Sequence, residues 1–365
     1  MNASISSFVT FLIFGPISKF NYAHGFINMR AEEIMLELMK INSYSKRENE
    51  MAQFLLKEIK KYGHDVEMEI SDVMNVVVNG GEKVVVATHM DTINREMETR
   101  VENGRIYGRG ASDAKASIAS ILLFLEKAKQ LNFSIAFLSD EEEDAKGSRF
   151  YLNKHKPEMA IVMEPTSLKV CNHQAGSIEA FFEVRGEETH GSFCGSVIDK
   201  TFEMIKELQE LEYWKKGKYF ESCFTIQEIK SINPYYLNPK TCNGRFEIRL
   251  LPEQNAADVA GKIEEIVEKY GHIEFRERWN GFKIDENEEI IKMAENACKM
   301  SGIPFSLDGM PSWTDAIIFN EHGVKCIIFG PGELKHAHTM NEFIRVEEIE
   351  KAAEFLVALN NTISN

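Results

Sequence analysis

Short runs rich in Val, Ile, Leu and Phe alternate with amphipathic stretches along most of this chain, and that alternation restricts its fold more than any other feature. Lys83 to Thr88 reads Lys-Val-Val-Val-Ala-Thr and ends at His89; Ser134 to Leu138 is a second such run and Met159 to Met163 a third. Between them, Glu48 to Tyr62 sets Met51, Phe54, Leu55 and Ile59 on one helical face, and Ala114 to Leu131 reads as a helix after the glycine-rich Gly104 to Gly110. Strands apolar on both faces and separated by helices predict a mostly parallel sheet covered on both sides, an α/β domain.

The rhythm changes between Gly176 and Asn280. Strand Ile178 to Val184, helix Val197 to Leu211, strands Cys223 to Ile229 and Gly244 to Leu250, helix Ala256 to Tyr270 and strand Ile273 to Arg278 follow in βαββαβ order. That order predicts a ferredoxin-like two-layer module inserted into the larger domain. The α/β pattern then resumes with helix Glu288 to Met300, strand Cys326 to Phe329 and helix Val346 to Leu359. The expected division is a catalytic domain over 29–175 and 282–365, interrupted by an insert over 176–281. Residues 1–28 have no Asp or Glu and Lys19 as their one charge, and the apolar run Phe8 to Phe14 falls well short of the roughly 20 residues that span a bilayer. With Met29 opening a clean amphipathic helix, they are expected to be a non-native or flexible extension.

Composition removes several classes. With 42 Lys+Arg against 57 Asp+Glu, the 365-residue chain has a net charge of −15, which disfavours nucleic acid and anionic membranes as partners. At 44% apolar and 27% charged it is neither disordered nor fibrous. Cys171, Cys194, Cys223, Cys242, Cys298 and Cys326 are spread singly, as expected of reduced, mostly packed thiols in a cytoplasmic protein.

Ligands of open α/β sheets collect beyond the carboxyl ends of the strands, and the polar residues here fall at those ends. His89-Met-Asp91 ends one strand, Asp140-Glu-Glu-Glu143 another, and Glu164 a third; Asp113 precedes a helix, and His338 follows the last strand. Each alone reads as a turn or a solvated acid. Together, two histidines and three carboxylates are the ligand types for a pair of ions such as Zn²⁺, provided one carboxylate bridges.

His89-Met-Asp91, Gly108-Arg-Gly-Ala-Ser-Asp113-Ala-Lys115, Asp140-Glu-Glu142, Met163-Glu-Pro165, Thr189-His190 and His338-Thr-Met-Asn-Glu342 resemble, in order, the di-zinc aminoacylase, acetylornithine deacetylase and succinyl-diaminopimelate desuccinylase family. The resemblance implies a metal-dependent amidohydrolase with two Zn²⁺, for which Co²⁺ can substitute. It implies that His89 and Glu164 hold one ion, Glu142 and His338 the other, and that Asp113 bridges them, followed by a cis peptide. Asp91 would orient the His89 imidazole, and Glu141 would be the general base. The acidic run also admits Glu142 and Glu143 as base and ligand. His190 would reach across a homodimer interface to the developing oxyanion.

For substrate, the resemblance implies that Arg249 clamps a carboxylate, with Ser312, Thr314, Asp315 and the backbone amides of Gly330 to Gly332 lining the same pocket. The family's lid asparagine is missing from Ser231-Ile-Asn-Pro-Tyr-Tyr-Leu-Asn-Pro239, leaving Asn233 or Asn238 to substitute. Asp113-Ala-Lys115 looks most like the branch that releases lysine or ornithine from an acetyl group or an acidic amino-group carrier protein in lysine and arginine biosynthesis. Lys215, Lys216 and Lys218 are then candidates for meeting the carrier. The alternatives are a desuccinylase, an aminoacylase or a dipeptidase of the same family, or a non-catalytic binding protein.

Overall fold

In a computed structural model that describes residues 22–233 and 235–363, the apolar runs form the middle of a nine-stranded sheet. The extension expected over residues 1–28 lies outside the described residues as far as Tyr22, where the first helix, Tyr22–Met39, begins ahead of Met29. Val84–His89, Ser134–Leu138 and Met159–Val162 are buried at every position. Val84–His89 pairs in parallel with both of the others, and Lys325–Ile328 extends the parallel set beside Met159–Val162.

Outside this parallel set most of the pairing is antiparallel. On one side Met74–Val78 pairs with Ser134–Leu138 and turns back as a hairpin with Val66–Ile70. On the other, Val170–Gln174 runs against Lys325–Ile328 through Ile328 and Cys171, and carries Phe282–Lys283 antiparallel and Leu307–Met310 parallel. Helices Tyr22–Met39, Lys115–Lys127, Glu289–Ser301 and Val346–Ile363 pack on one another, while Lys146–Lys154 and Ala316–Glu321 form a separate pair. Since the middle strands are buried on both faces, two such layers are what the sheet requires. Lys115–Lys127 is buried from Lys115 to Leu125, as a helix with apolar neighbours all round must be.

Residues from Ile178 to Ile273 gather around a second hydrophobic cluster, distinct from the one that runs from Ala31 to Cys171 and from Phe282 to Leu359. It lies under a four-stranded antiparallel sheet in the order Cys223–Lys230, Thr241–Leu250, Gly176–Arg185, Gly271–Trp279. Helices Val197–Gln209 and Ala256–Val267 cover one face. Ser196 caps the first in a capping box with Asp199, and Asn255 caps the second by accepting from the amides of Ala257 and Asp258. Alternation along Gly176–Arg185 buries Ile178, Ala180, Phe182 and Val184 against the helices and turns Ser177 and Glu179 the other way. Among the described residues, no helix is long and apolar enough to cross a membrane.

Candidate metal centre

Three parallel strands side by side bring their carboxyl ends together, so the residues just beyond them converge. His89 ends Val84–His89, Asp140 to Glu142 follow Ser134–Leu138, and Glu164 follows Met159–Val162. Asp113 arrives from the turn before Lys115–Lys127, through a cis peptide to Ala114. His338 arrives from the loop after the 3-10 turn Leu334–His336, at a φ of 63° that side chains other than glycine's seldom adopt.

His89 Nε2 lies 3.0 Å from Asp113 Oδ1 and 3.8 Å from Glu164 Oε1. His338 Nε2 lies 3.1 Å from Glu142 Oε1 and 3.4 Å from Asp113 Oδ2. Asp113 therefore offers one oxygen to each of two groups, His89 with Glu164 and Glu142 with His338, and the donor atoms within each triad lie within 4.8 Å of one another. That is the arrangement a bridging carboxylate requires.

The electrostatics fit the same reading. Burial pushes the carboxyls of Glu141 and Glu164 well above the usual carboxylate range, and the neighbouring acids push in the same direction. Burial would depress the His89 imidazole, yet Glu141, Glu164 and Asp113 around it leave it well above its ordinary value. Glu164 Oε1 is buried without a hydrogen-bond partner. Buried acids crowded at this density call for cations, and mixed His and carboxylate donors suit borderline divalent ions.

Carboxylates from elsewhere hold the ligand-bearing loops. Asp91 accepts from the amides of Glu141 and Glu142, both at 3.1 Å, and from Ser45 Oγ at 2.8 Å. The nearest atom of Asp91 to His89 Nδ1 is its carbonyl oxygen, at 2.9 Å; its carboxylate lies at 3.5 Å. The Asp91 carbonyl and carboxylate both stand on the Nδ1 side of His89, and the carboxylate also holds the Glu141-Glu142 segment. Glu342 accepts from the amides of Ser112 and Asp113 at 3.0 and 3.2 Å and pairs with Arg109, whose other donors reach the carbonyls of His338 and Thr339. Lys115 is buried, donates to the Ile41 carbonyl at 2.7 Å, and is pushed down to about 8 by burial.

Of the acids after Asp140, Glu141, Glu142 and Glu143 all line the cavity; Glu142 stands against His338, Glu141 is buried, and Glu143 is exposed, 3.9 Å from Lys46. A cavity of about 520 Å³ opens over the centre, and its lining includes Asp113, Glu141, Glu142 and His338 together with Arg249, Ser312 and Thr314. Gly332 does not join them. Its amide donates to Glu348 Oε2 at 2.8 Å and the Gly330 amide to Thr166 Oγ1 at 3.0 Å, so neither is free to bind substrate. Gly332 serves the turn instead: φ is 94°, and a Cβ there would collide with Ser112 Oγ.

Asn233 and Asn238 bond within the module, to Leu237 and to Thr189 and Phe193 respectively. His190 is exposed on the short ribbon Thr189–His190 with Leu237–Asn238, away from the cavity of its own chain. Lys218 pairs with Glu286 at 2.6 Å. Sequence reasoning missed Arg149, Glu179, Glu247, Arg276, Glu277 and Trp279, which also line the cavity. Five of these six lie on the module strands; alternating polar residues were the available signal on Gly176–Arg185 and Thr241–Leu250, whereas Arg276, Glu277 and Arg278 are consecutive at a bulge in Gly271–Trp279.

A model of peptidase family M20/M25/M40 matches residues 85–362. A putative [LysW]-lysine/[LysW]-ornithine hydrolase of Pyrococcus furiosus is 28% identical over 336 residues, covering 89% of this chain and 94% of that protein. The [LysW]-lysine/[LysW]-ornithine hydrolase of Saccharolobus solfataricus is 24% identical over 331 residues, covering 88% and 93%. Among solved structures, aminopeptidase PepT of Bacillus cereus superposes with a TM-score of 0.77 at 19% identity, covering 93% of this chain and 99% of that one. A dinuclear metal-binding peptidase of family M20 from Bacillus subtilis superposes at 0.67 with 13% identity, covering 93% and 98%.

Proposed function

The chain belongs to peptidase family M20/M25/M40 and is a metal-dependent amidohydrolase; from that premise we propose that it hydrolyses the amide on the α-amino group of lysine or ornithine, joined either to a small acyl group or to an acidic carrier protein. The observation that carries the proposal is Asp113 shared between two ligand triads in a cavity that Arg249 also lines. The hydrolase named for lysine and ornithine that shares 28% of its residues supports the choice of substrate. The expected ions are Zn²⁺, with His89, Asp113 and Glu164 holding one and Asp113, Glu142 and His338 the other.

Two such ions would supply a more acidic water and a polarised scissile carbonyl. Glu141, at the cavity surface beside them, takes the proton of the attacking water and returns it to the leaving amine. Asp91 keeps Glu141 in place through the backbone. Arg249 binds the carboxylate of the amino acid with its planar fork. His190, exposed in its own chain, donates to the oxyanion of a second copy in a homodimer, placed here in the cytoplasm.

Hydrolysis by the zinc-loaded protein of N²-acetyl-ornithine, N²-acetyl-lysine, a lysine peptide linked through the Glu γ-carboxyl, and N-succinyl-diaminopimelate tests the substrate. Release of lysine or ornithine from one of the first three is the expected result. Turnover of the succinyl compound alone would overturn it.

A further inference from the structure

We propose that the module wall of the cavity is a subsite for an ammonium group anchored by Glu277, so that the substrate carries a free amine at the far end of its side chain. The inference rests on the hydrolase reading above for the position of the scissile amide. It goes further in assigning recognition of the distal charge to residues of the inserted module.

In the module sheet, Glu247 and Glu277 pair with Glu179 from either side. Three carboxylates therefore share one register and one face of three adjacent strands, where like charges opposite each other are destabilising. Two of them are neutralised from within the sheet. Glu179 lies 3.2 Å from Arg245 and 3.3 Å from Arg276, and Glu247 pairs with Arg249 and Gln227. Glu277 differs: among the described residues no lysine or arginine nitrogen lies within 4.0 Å of it, although it is half-buried. Burial and the neighbouring Glu179 push its carboxyl above the usual range by more than Arg276, a hydrogen bond with Trp279 and Arg249 pull it back, a net shift that a bound cation reverses.

The next register row holds a second, independent feature. Ser177 stands opposite Arg249 and Trp279; it is 3% exposed, and its Oγ has no hydrogen-bond partner. A buried hydroxyl left unpaired is destabilising, so a ligand group that satisfies it gains by doing so. Both Ser177 and Glu277 line the same cavity as Glu141 and His338. An ammonium carries three donors and no acceptor, matching the two oxygens of a carboxylate and a hydroxyl oxygen. Arg249, one of whose nitrogens is paired with Glu247, has further guanidinium donors for the opposite charge, so the cavity complements an amino acid that presents a carboxylate and a distal amine together.

The test is binding of free amino-acid products to the metal-loaded protein, measured by calorimetry. L-lysine and L-ornithine are expected to bind at least tenfold more tightly than L-norleucine, which keeps the carboxylate and replaces the distal amine with a methyl end. Glu277→Gln should remove that difference and leave norleucine binding unchanged; Ser177→Ala should reduce it in part. Equal binding of lysine and norleucine by the wild type, or an equal loss of both in Glu277→Gln, overturns the subsite. Hydrolysis of the acyl substrates is read separately. A protein that discriminates lysine through Glu277 but cleaves none of them loses the hydrolase reading and keeps the subsite, and the reverse result removes the subsite alone.

Discussion

Glu342→Gln isolates how much of the metal centre depends on residues that never touch a metal. In the wild type one carboxylate oxygen accepts two amides, from Ser112 and from Asp113, while the other pairs with Arg109 in a site where Glu342 is fully buried. Glutamine keeps an oxygen for the two amides, but as neutral rather than charge-assisted bonds, a loss of about 1 kcal/mol each. Its NH₂ group then faces the Arg109 donors, leaving a buried guanidinium without its counter-charge. Breaking a buried pair from one side costs about 3–5 kcal/mol, an upper bound here because Arg109 also reaches the carbonyls of Arg95, His338 and Thr339. The loss falls on the two loops that carry Asp113 and His338. It should therefore appear in metal affinity as a weakening of about 10–100-fold, equal to about 1.4–2.7 kcal/mol. Competition with a chelator of known affinity measures it, with a melting curve alongside. Metal affinity and turnover within twofold of wild type, at a lowered melting temperature, would show that the pair holds only the fold.

Three further outcomes follow from the same geometry. Glu141→Gln should lower kcat by about 10³-fold or more with two equivalents of metal still bound; loss of a metal instead would make Glu141 a ligand. Asp113→Ala should cost both ions, because it serves both triads, whereas His338→Ala should leave the His89 site occupied; metal analysis after dialysis separates the cases. Mixed dimers of inactive His190→Ala and Glu141→Ala chains should recover part of the activity if His190 acts on a neighbouring site, and none if it does not.

What could be read from the sequence divides along a physical line. Val84–His89, Ser134–Leu138 and Met159–Val162 are buried on both faces, so nothing in them interrupts the apolar run, and the acids and histidines that follow stand out against it. The hairpin of Val66–Ile70 with Met74–Val78 and the strand Val170–Gln174 were not anticipated. Glu67 and Glu69 break the first pattern, and Asn172, His173 and Gln174 the second. Both lie outside the parallel middle of the sheet, where most of the pairing is antiparallel. The metal ligands were legible because chemistry restricts them to a few residue types. Their supports were not: Glu342 meets Arg109 and the Asp113 turn across more than two hundred residues, and Asp91 meets Glu141 and Glu142 across about fifty. Gly332 was misjudged for a related reason. A glycine-rich turn suggests open amides, but whether an amide is open depends on Glu348, which lies on the closing helix.

Those supports bear on how the centre behaves without its ions. Asp91, Glu48 and Glu342 hold the loops of Glu141, Asp140 and Asp113 through backbone amides rather than through lysines, so the ligand positions are set by bonds that persist when the metals leave. The charge is then left uncompensated, with Glu141 and Glu164 buried among other acids. The chelated protein should accordingly stay folded and melt at a lower temperature. An ion present at 100 times its dissociation constant stabilises by about 2.7 kcal/mol, so two sites contribute roughly 5 kcal/mol. At about 2 °C per kcal/mol, the low end for larger domains, that is a shift of roughly 10 °C. Calorimetry with excess Zn²⁺ and with a chelator measures it, and far-ultraviolet circular dichroism should not change between the two. Equal melting temperatures would mean that the five ligands bind no ion tightly. Loss of secondary structure on chelation would mean that the metals, and not Asp91, Glu48 and Glu342, organise the loops.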